Sequence, residues 1–251
     1  MENSENFDSV ELTEAEKREL LEKATNEKRR KLREQEYMRK VSRPLSIPNF
    51  NAENFKKWAI NRWESLYKKQ WINTPENEQI TDLLSQYFSQ SPEFEQDGRS
   101  LKKGLLLAGS VGVGKTTLMQ LFGRNPVSSY IIVPCRRVAN EYAEQGGDVI
   151  GGYCMESYPS SDNPFRHETF GLCFDDLGTE TRKKNYGNEL NVMEEILLNR
   201  YDRRAVLQNK THITTNLTAD MIKEMYGERV ASRMREMFNI IIFEGDLDMR
   251  N

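Results

Sequence analysis

Apolar residues follow three different rhythms along the 251-residue chain. Up to about residue 48 they are sparse among charges. Leu20, Leu21, Leu32 and Met38 are too few for a sustained heptad. Thr13 and Glu16 have the spacing of a capping box, which predicts a helix running to about Arg39. Such a helix is either a solvated rod held by i,i+4 charge pairs or an arm that docks on a partner. Arg43-Pro44-Leu45-Ser46-Ile47-Pro48 breaks it and reads as a linker.

From about 49 to 100 the period becomes helical. Phe55, Trp58, Ala59, Trp63, Leu66 and Tyr67 form one apolar face, with Lys56, Lys57, Lys68 and Lys69 mainly on the other side. Aromatics interleaved with lysines suit either a packed core face or stacking against nucleic-acid bases. Ile80, Leu83, Leu84, Tyr87 and Phe88 make a second amphipathic helix, closed by Ser91-Pro92 and Asp97-Gly98. From 101 to 251, short apolar runs alternate with amphipathic helical patterns. The runs are Gly104–Ala108, Tyr130–Val133, Phe170–Phe174, His212–Thr215 and Ile240–Phe243. That alternation predicts an α/β fold, a parallel sheet with helices on both faces. The domain reading is a charged arm over 1–48, a helical lead-in packed on the core over 49–100, and the α/β domain over 101–251.

Composition narrows the function classes. A net charge of −3 argues against a uniformly basic nucleic-acid binder but leaves room for a local basic patch. No segment approaches the ~18 consecutive apolar residues of a membrane span. The acidic N-terminus lacks the basic-then-apolar order of a signal peptide, so the expected compartment is the cytoplasm. Cys135, Cys154 and Cys173 show no metal-ligand pairing and read as reduced thiols. With His167 and His212 the only histidines, zinc chemistry and histidine-based catalysis are poor starting points.

The chemistry concentrates at Gly109-Ser110-Val111-Gly112-Val113-Gly114-Lys115-Thr116, which matches G-x-x-x-x-G-K-[ST] between an apolar strand and a helical pattern. Glycines let the loop curl around phosphates, and successive N–H groups together with the helix N-terminus favour negative charge there. Lys115 is expected to reach the β- and γ-phosphates of ATP. Thr116, followed by Thr117 in the binding segment, is expected to give its hydroxyl to Mg²⁺. About 60 residues on, Phe170–Phe174 ends in Asp175-Asp176 at the carboxyl edge where ligands sit in an open α/β sheet. Asp175 is the candidate metal holder, and Asp176 the group that orients the attacking water. Glu180 is a second candidate for the latter role. Asp176 is shorter than the glutamate usual at this position, which predicts slow hydrolysis and switch-like behaviour. Asn216 ends the strand His212–Thr215. A strand lying between the P-loop and acidic strands would bring its amide to the γ-phosphate; otherwise Asn216 caps the helix starting near Thr218. Arg229 and Arg233, four apart, share a helix face and suit an arginine finger or a solvated surface.

The blocks 109–116, Phe174-Asp175-Asp176-Leu177-Gly178, Thr214-Thr215-Asn216 and Tyr226-Gly227-Glu228-Arg229-Val230…Arg233, in this order, resemble the DnaC/IstB-like branch of AAA+ ATPases. Phe243-Glu244-Gly245…Arg250 is similar to that family's closing strand and arginine, although Leu247-Asp248-Met249 departs from its pattern. The resemblance covers about three-fifths of the chain. It implies a P-loop NTPase of AAA+ type with a five-stranded parallel sheet and no full C-terminal helical lid. It further implies Asn216 as sensor 1 and Arg233 as a finger supplied in trans with Arg229 assisting, hence an ATP-dependent homo-oligomer.

Family members load a replicative hexameric helicase onto single-stranded DNA or, in the alternative branch, bind duplex DNA and recruit a transposase. The arm over 1–48 fits a helicase grip. Lys102, Lys103, Arg136, Arg137, Lys183 and Lys184 are candidate phosphate contacts, and the Gly-, Ser- and Pro-rich stretch 145–168 a loop facing DNA or a partner. A stand-alone phosphotransferase or GTPase is disfavoured, since no Asn-Lys-x-Asp block is present.

Overall fold

The computed structural model describes residues 13–41, 47, 49–72, 74–125, 127–154, 171–181, 183–185, 188–204 and 210–243. The first helix, α1 (Glu14–Val41), belongs to one compact unit and all other elements to a second. Its start is the expected capping box. The Thr13 amide donates to Glu16 Oε2 at 2.8 Å, and the Glu16 amide donates to Thr13 Oγ1 at 3.3 Å. Glu19–Lys23 and Glu27–Lys31 pair at i,i+4 spacing, and every residue of α1 whose side chain is described is exposed.

The second unit begins with α2 (Ala52–Tyr67) and α3 (Pro75–Phe88), capped by the side chains of Asn51 and Thr74. A 3-10 turn over Pro92–Glu95 follows. Then come β1 (Gly104–Gly109), α4 (Lys115–Phe122), β2 (Tyr130–Pro134), α5 (Cys135–Gln145), α6 (Gly147–Cys154) and β3 (Gly171–Leu177). The chain continues through β4 (Lys183–Asn185), β5 (Asn188–Leu190), α7 (Val192–Asp202), β6 (Thr211–Thr215), α8 (Ala219–Met237) and β7 (Phe238–Phe243). Five strands form one parallel sheet in the order β2-β3-β6-β1-β7. This is the expected P-loop NTPase architecture, and β6 lies between the P-loop strand β1 and the acidic strand β3.

Strand periodicity of two sends alternate side chains to opposite faces. Leu106, Phe174 and Ile213 enter one core with Val138, Tyr153, Met193, Ile196, Val230 and Met234 of α5 to α8. Leu105, Leu107, Cys173 and Ile241 enter the other with Phe55, Leu84, Phe88, Leu118 and Phe122 of α2 to α4. Phe55 meets Phe122 edge-on at 5.4 Å and Phe88 stacks on the same ring at 5.6 Å. The inner half of the aromatic stripe is therefore packing surface, while Leu66 and Tyr67 at its end are exposed. Helices on both faces leave the carboxyl ends of the strands as the open edge.

One sequence expectation changes and one element is new. The stretch 145–168 read as a loop because of its glycines, yet 147–154 is helix α6. Burial of Val149, Tyr153 and Cys154 among α5 and α7 outweighs the roughly 1 kcal/mol each that mid-helix Gly151 and Gly152 cost. Gln145 closes α5 with Gly146 as its C-cap, and residues 155–168 lie outside the described residues, as do Arg250 and the Leu247-Asp248-Met249 departure. The small antiparallel hairpin β4–β5 had no signal in the hydrophobic pattern. All three cysteines are free and buried, and no described helix is long and apolar enough to cross a membrane.

Candidate nucleotide site

The loop between β1 and α4 is shaped by its glycines. Gly114, the N-cap of α4, has φ of 93°, a left-handed backbone that a side chain resists, and no side chain caps the helix. The first-turn N–H groups of α4 are thus left for an anion rather than for a capping oxygen. At Gly109 a Cβ would lie 2.3 Å from the Phe243 carbonyl oxygen of the neighbouring strand, so the close approach of β1 to β7 requires glycine. Ser110 and Val111 are exposed at the tip, Val113 anchors the loop in the core, and Gly112 and Thr117 are half-buried.

Lys115 is buried, and its ammonium donates to three oxygens: the Gly109 carbonyl at 2.9 Å, the Ser110 carbonyl at 2.7 Å and Asn216 Oδ1 at 2.5 Å. The Asn216 amide therefore faces the P-loop lysine. Capping of α8 falls to Thr218, whose hydroxyl accepts the Met221 amide at 3.3 Å. That removes the alternative reading of Asn216 as a cap.

Asp175 Oδ1 accepts from Thr116 Oγ1 at 2.8 Å and from Thr214 Oγ1 at 2.6 Å. Burial holds the Asp175 carboxyl above its ordinary range. The two hydroxyls and Lys115 pull it down, and Asp176 pushes it up. Thr214 is the residue that sequence reasoning underused. Fully buried at the centre of the sheet, it donates to Asp175 and accepts the Asp176 amide at 2.9 Å. Hydroxyl residues recurring in a central strand that is buried throughout, Thr211, Thr214 and Thr215, were the available signal.

The pairing of β3 with β6 shifts register between Phe174 and Leu177, a bulge of the kind that re-aims side chains beside active sites. Asp176 sits there with φ of 56°. Its carboxylate, half-exposed, accepts no hydrogen bond from any described residue. Glu180 is placed otherwise. It is buried, and it accepts from the Gly178 amide at 2.9 Å and from the Tyr226 hydroxyl of α8, so it ties the turn after β3 to α8. Its expected role as a second water-orienting acid yields to that tie.

Helix α8 is broken at Gly227, with φ of 83° and ψ of 163°. Arg229 and Arg233 both follow the break. Arg229 is exposed and makes no ion pair among the described residues, whereas Arg233 lies over the Tyr201 ring with its guanidinium carbon 4.1 Å from the centroid. Among the proposed phosphate contacts, Lys103 donates to the Arg235 carbonyl at 3.0 Å and Arg137 pairs with Glu141 at 2.7 Å. The side chains of Lys183 and Lys184 lie outside the described residues.

No protein-family model and no curated protein matches the chain. Among solved structures, it is similar in fold to one titled "Crystal Structure of the DnaI". The two share 20% identity with a TM-score of 0.45, over 69% of this chain and 88% of that one.

The residues present fit a nucleotide with Mg²⁺. Thr116 and Asp175 put one hydroxyl and one carboxylate side by side, and no cluster of three or more His, Cys, Asp or Glu side chains suited to a metal occurs among the described residues. A site so poor in protein ligands suits a cation that keeps waters and takes phosphate oxygens.

Proposed function

We propose that this protein is an ATPase whose nucleotide state controls its assembly on single-stranded DNA, where it loads a replicative hexameric helicase. The observation that carries the ATPase reading is the 2.5 Å contact between Lys115 Nζ and Asn216 Oδ1. It joins the P-loop to the strand beside the acidic pair, so one phosphate group would be sensed by both. Bound ATP and Mg²⁺ would supply the scissile anhydride and charge neutralisation.

The chain's own residues do the rest. The open amides of α4 and the Lys115 ammonium hold phosphate oxygens. Asp175 and Thr116 hold the metal. Asp176, with its carboxylate open, orients the attacking water, and the Asn216 amide reports the γ-position. Arg233 acts on the site of a neighbouring copy, which makes the oligomer ATP-dependent.

The helicase reading rests on the sequence resemblance and on the charged, exposed helix α1 in a unit of its own. The test combines the full chain, a purified replicative hexameric helicase and circular single-stranded DNA, with unwinding as readout. ATP-dependent stimulation that disappears in Lys115→Ala is the expected result. No stimulation, together with ATP-dependent preference for duplex DNA and a transposase, would replace this reading by transposition help.

A further inference from the structure

Tyr201, in the last turn of α7, is buried, and its hydroxyl has two partners. It donates its single proton to Glu236 Oε2 at 2.6 Å. That leaves a lone pair to accept Arg233 Nη1, also at 2.6 Å. The order Arg233 to Tyr201 to Glu236 is thus set by proton count, because a guanidinium has only donors and an ionised carboxylate only acceptors. The Arg233 Nη1 atom is also 3.7 Å from Glu236 Oε1. A second guanidinium, that of Arg204, lies 3.7 Å from the same ring centroid, donates to the Tyr201 carbonyl at 2.9 Å and approaches Glu236 at 4.0 Å.

Two cations and one carboxylate leave this corner with a net positive charge. A buried ring and a hydrogen-bond chain hold that charge in place. Glu236 alone leaves it uncompensated, and a flexible surface arginine would lose rotamer freedom on reaching an anion. An arginine held in this way loses less.

We propose that Tyr201 is a positioning residue that presents the Arg233 guanidinium to the nucleotide of a neighbouring copy. The hydroxyl sets the direction of the fork, the ring supports its plane, and Glu236 anchors the chain. This rests on the trans-arginine reading above and adds to it the group that holds the arginine in position. Tyr201 itself touches no substrate.

The test uses full-length chains mixed in pairs, so that nucleotide site and arginine sit in different copies. Arg233→Ala copies keep an intact nucleotide site but donate no arginine. Lys115→Ala copies donate Arg233 but hold no nucleotide. Mixing them is expected to restore hydrolysis that neither shows alone. Repeating the mixture with a Lys115→Ala/Tyr201→Phe donor keeps the ring and both cation–π contacts and removes only the hydroxyl. Restored kcat is expected to fall about tenfold, the equivalent of one oriented interaction in the transition state, with KM for ATP unchanged. The donor has no working site of its own, so a loss of its own catalytic geometry cannot produce that result.

Undiminished restoration by the Tyr201→Phe donor overturns the positioning role while the trans arginine stands. Failure of the first mixture to restore hydrolysis overturns both. A thermal midpoint for Tyr201→Phe close to the parent's excludes unfolding as the cause. If the midpoint falls, a donor carrying Glu236→Gln takes its place, since the amide oxygen still accepts from Tyr201 with a weaker hold. An intermediate kcat supports the chain, and an unchanged one overturns it.

Discussion

Thr214→Val removes two hydrogen bonds at the centre of the site while nearly preserving shape. The hydroxyl's bond to the Asp175 carboxylate, 2.6 Å long, is charge-assisted and worth about 1.5–3 kcal/mol. The Asp176 amide, only part-buried, loses its acceptor at the lower end of about 1–3 kcal/mol. The added methyl returns about 0.8 kcal/mol. The net expectation is a loss of about 2–3 kcal/mol near neutral pH. In urea, with a slope of about 3 kcal/mol/M, the unfolding midpoint should fall by about 1 M.

The pH dependence provides a second check. Burial raises the Asp175 carboxyl above 3.8 against the pull of Thr214 and Thr116, so removing Thr214 raises it further. A raised acid binds its proton more tightly in the folded chain than in the unfolded one. Its contribution to stability is therefore greatest in acid and declines as pH rises from the unfolded value through the folded one. The variant's deficit should be largest near neutrality and shrink on acidification. Urea titrations at both conditions decide it. A midpoint shift under about 0.3 M, or a deficit that grows in acid, refutes the assignment of Thr214 as the bridge between the two aspartates.

Three further outcomes follow from the same geometry. Asn216→Ala should bind a fluorescent ATP analogue within a few-fold of the parent yet hydrolyse about 10²-fold more slowly, as for loss of one transition-state donor; equal loss of binding would make Asn216 a structural partner of Lys115 only. His212, buried with Nδ1 accepting the Leu105 amide at 3.1 Å, is pushed down to about 3 by burial and by Lys210 and Arg200. The unfolded chain therefore takes up a proton that the folded one refuses. Stability should fall by about 1.4 kcal/mol per pH unit as pH drops from about 6.5 toward 3, and His212→Gln should flatten that slope in acid unfolding. Tyr226→Phe should destabilise by about 1.5–3 kcal/mol in thermal unfolding, because the buried Glu180 carboxylate loses a donor; an unchanged midpoint would show that the tie between the β3 turn and α8 does not contribute.

The sheet, its strand count, the P-loop and the acidic pair were all legible from residue order. Each is a local pattern: glycines spaced along a loop that opens a helix, a short continuous apolar run, a carboxylate at a strand end. The capping box at Thr13 and Glu16 was legible for the same reason, being closed within one turn. Contacts between segments distant in sequence were not. Asn216 is 101 residues from Lys115, and only the insertion of β6 between β1 and β3 decides that its amide meets the ammonium. Thr214 as a bridge, Glu180 as a tie rather than an acid and the hydrogen-bond chain through Tyr201 likewise depend on which strands and helices become neighbours. Glycine content pointed to a loop at α6, and burial against α5 and α7 decided otherwise. By itself the sequence determined which chemical groups exist and the local backbone that carries them; the tertiary structure decided which of them share a proton, because sheet order brings together residues that no local pattern links.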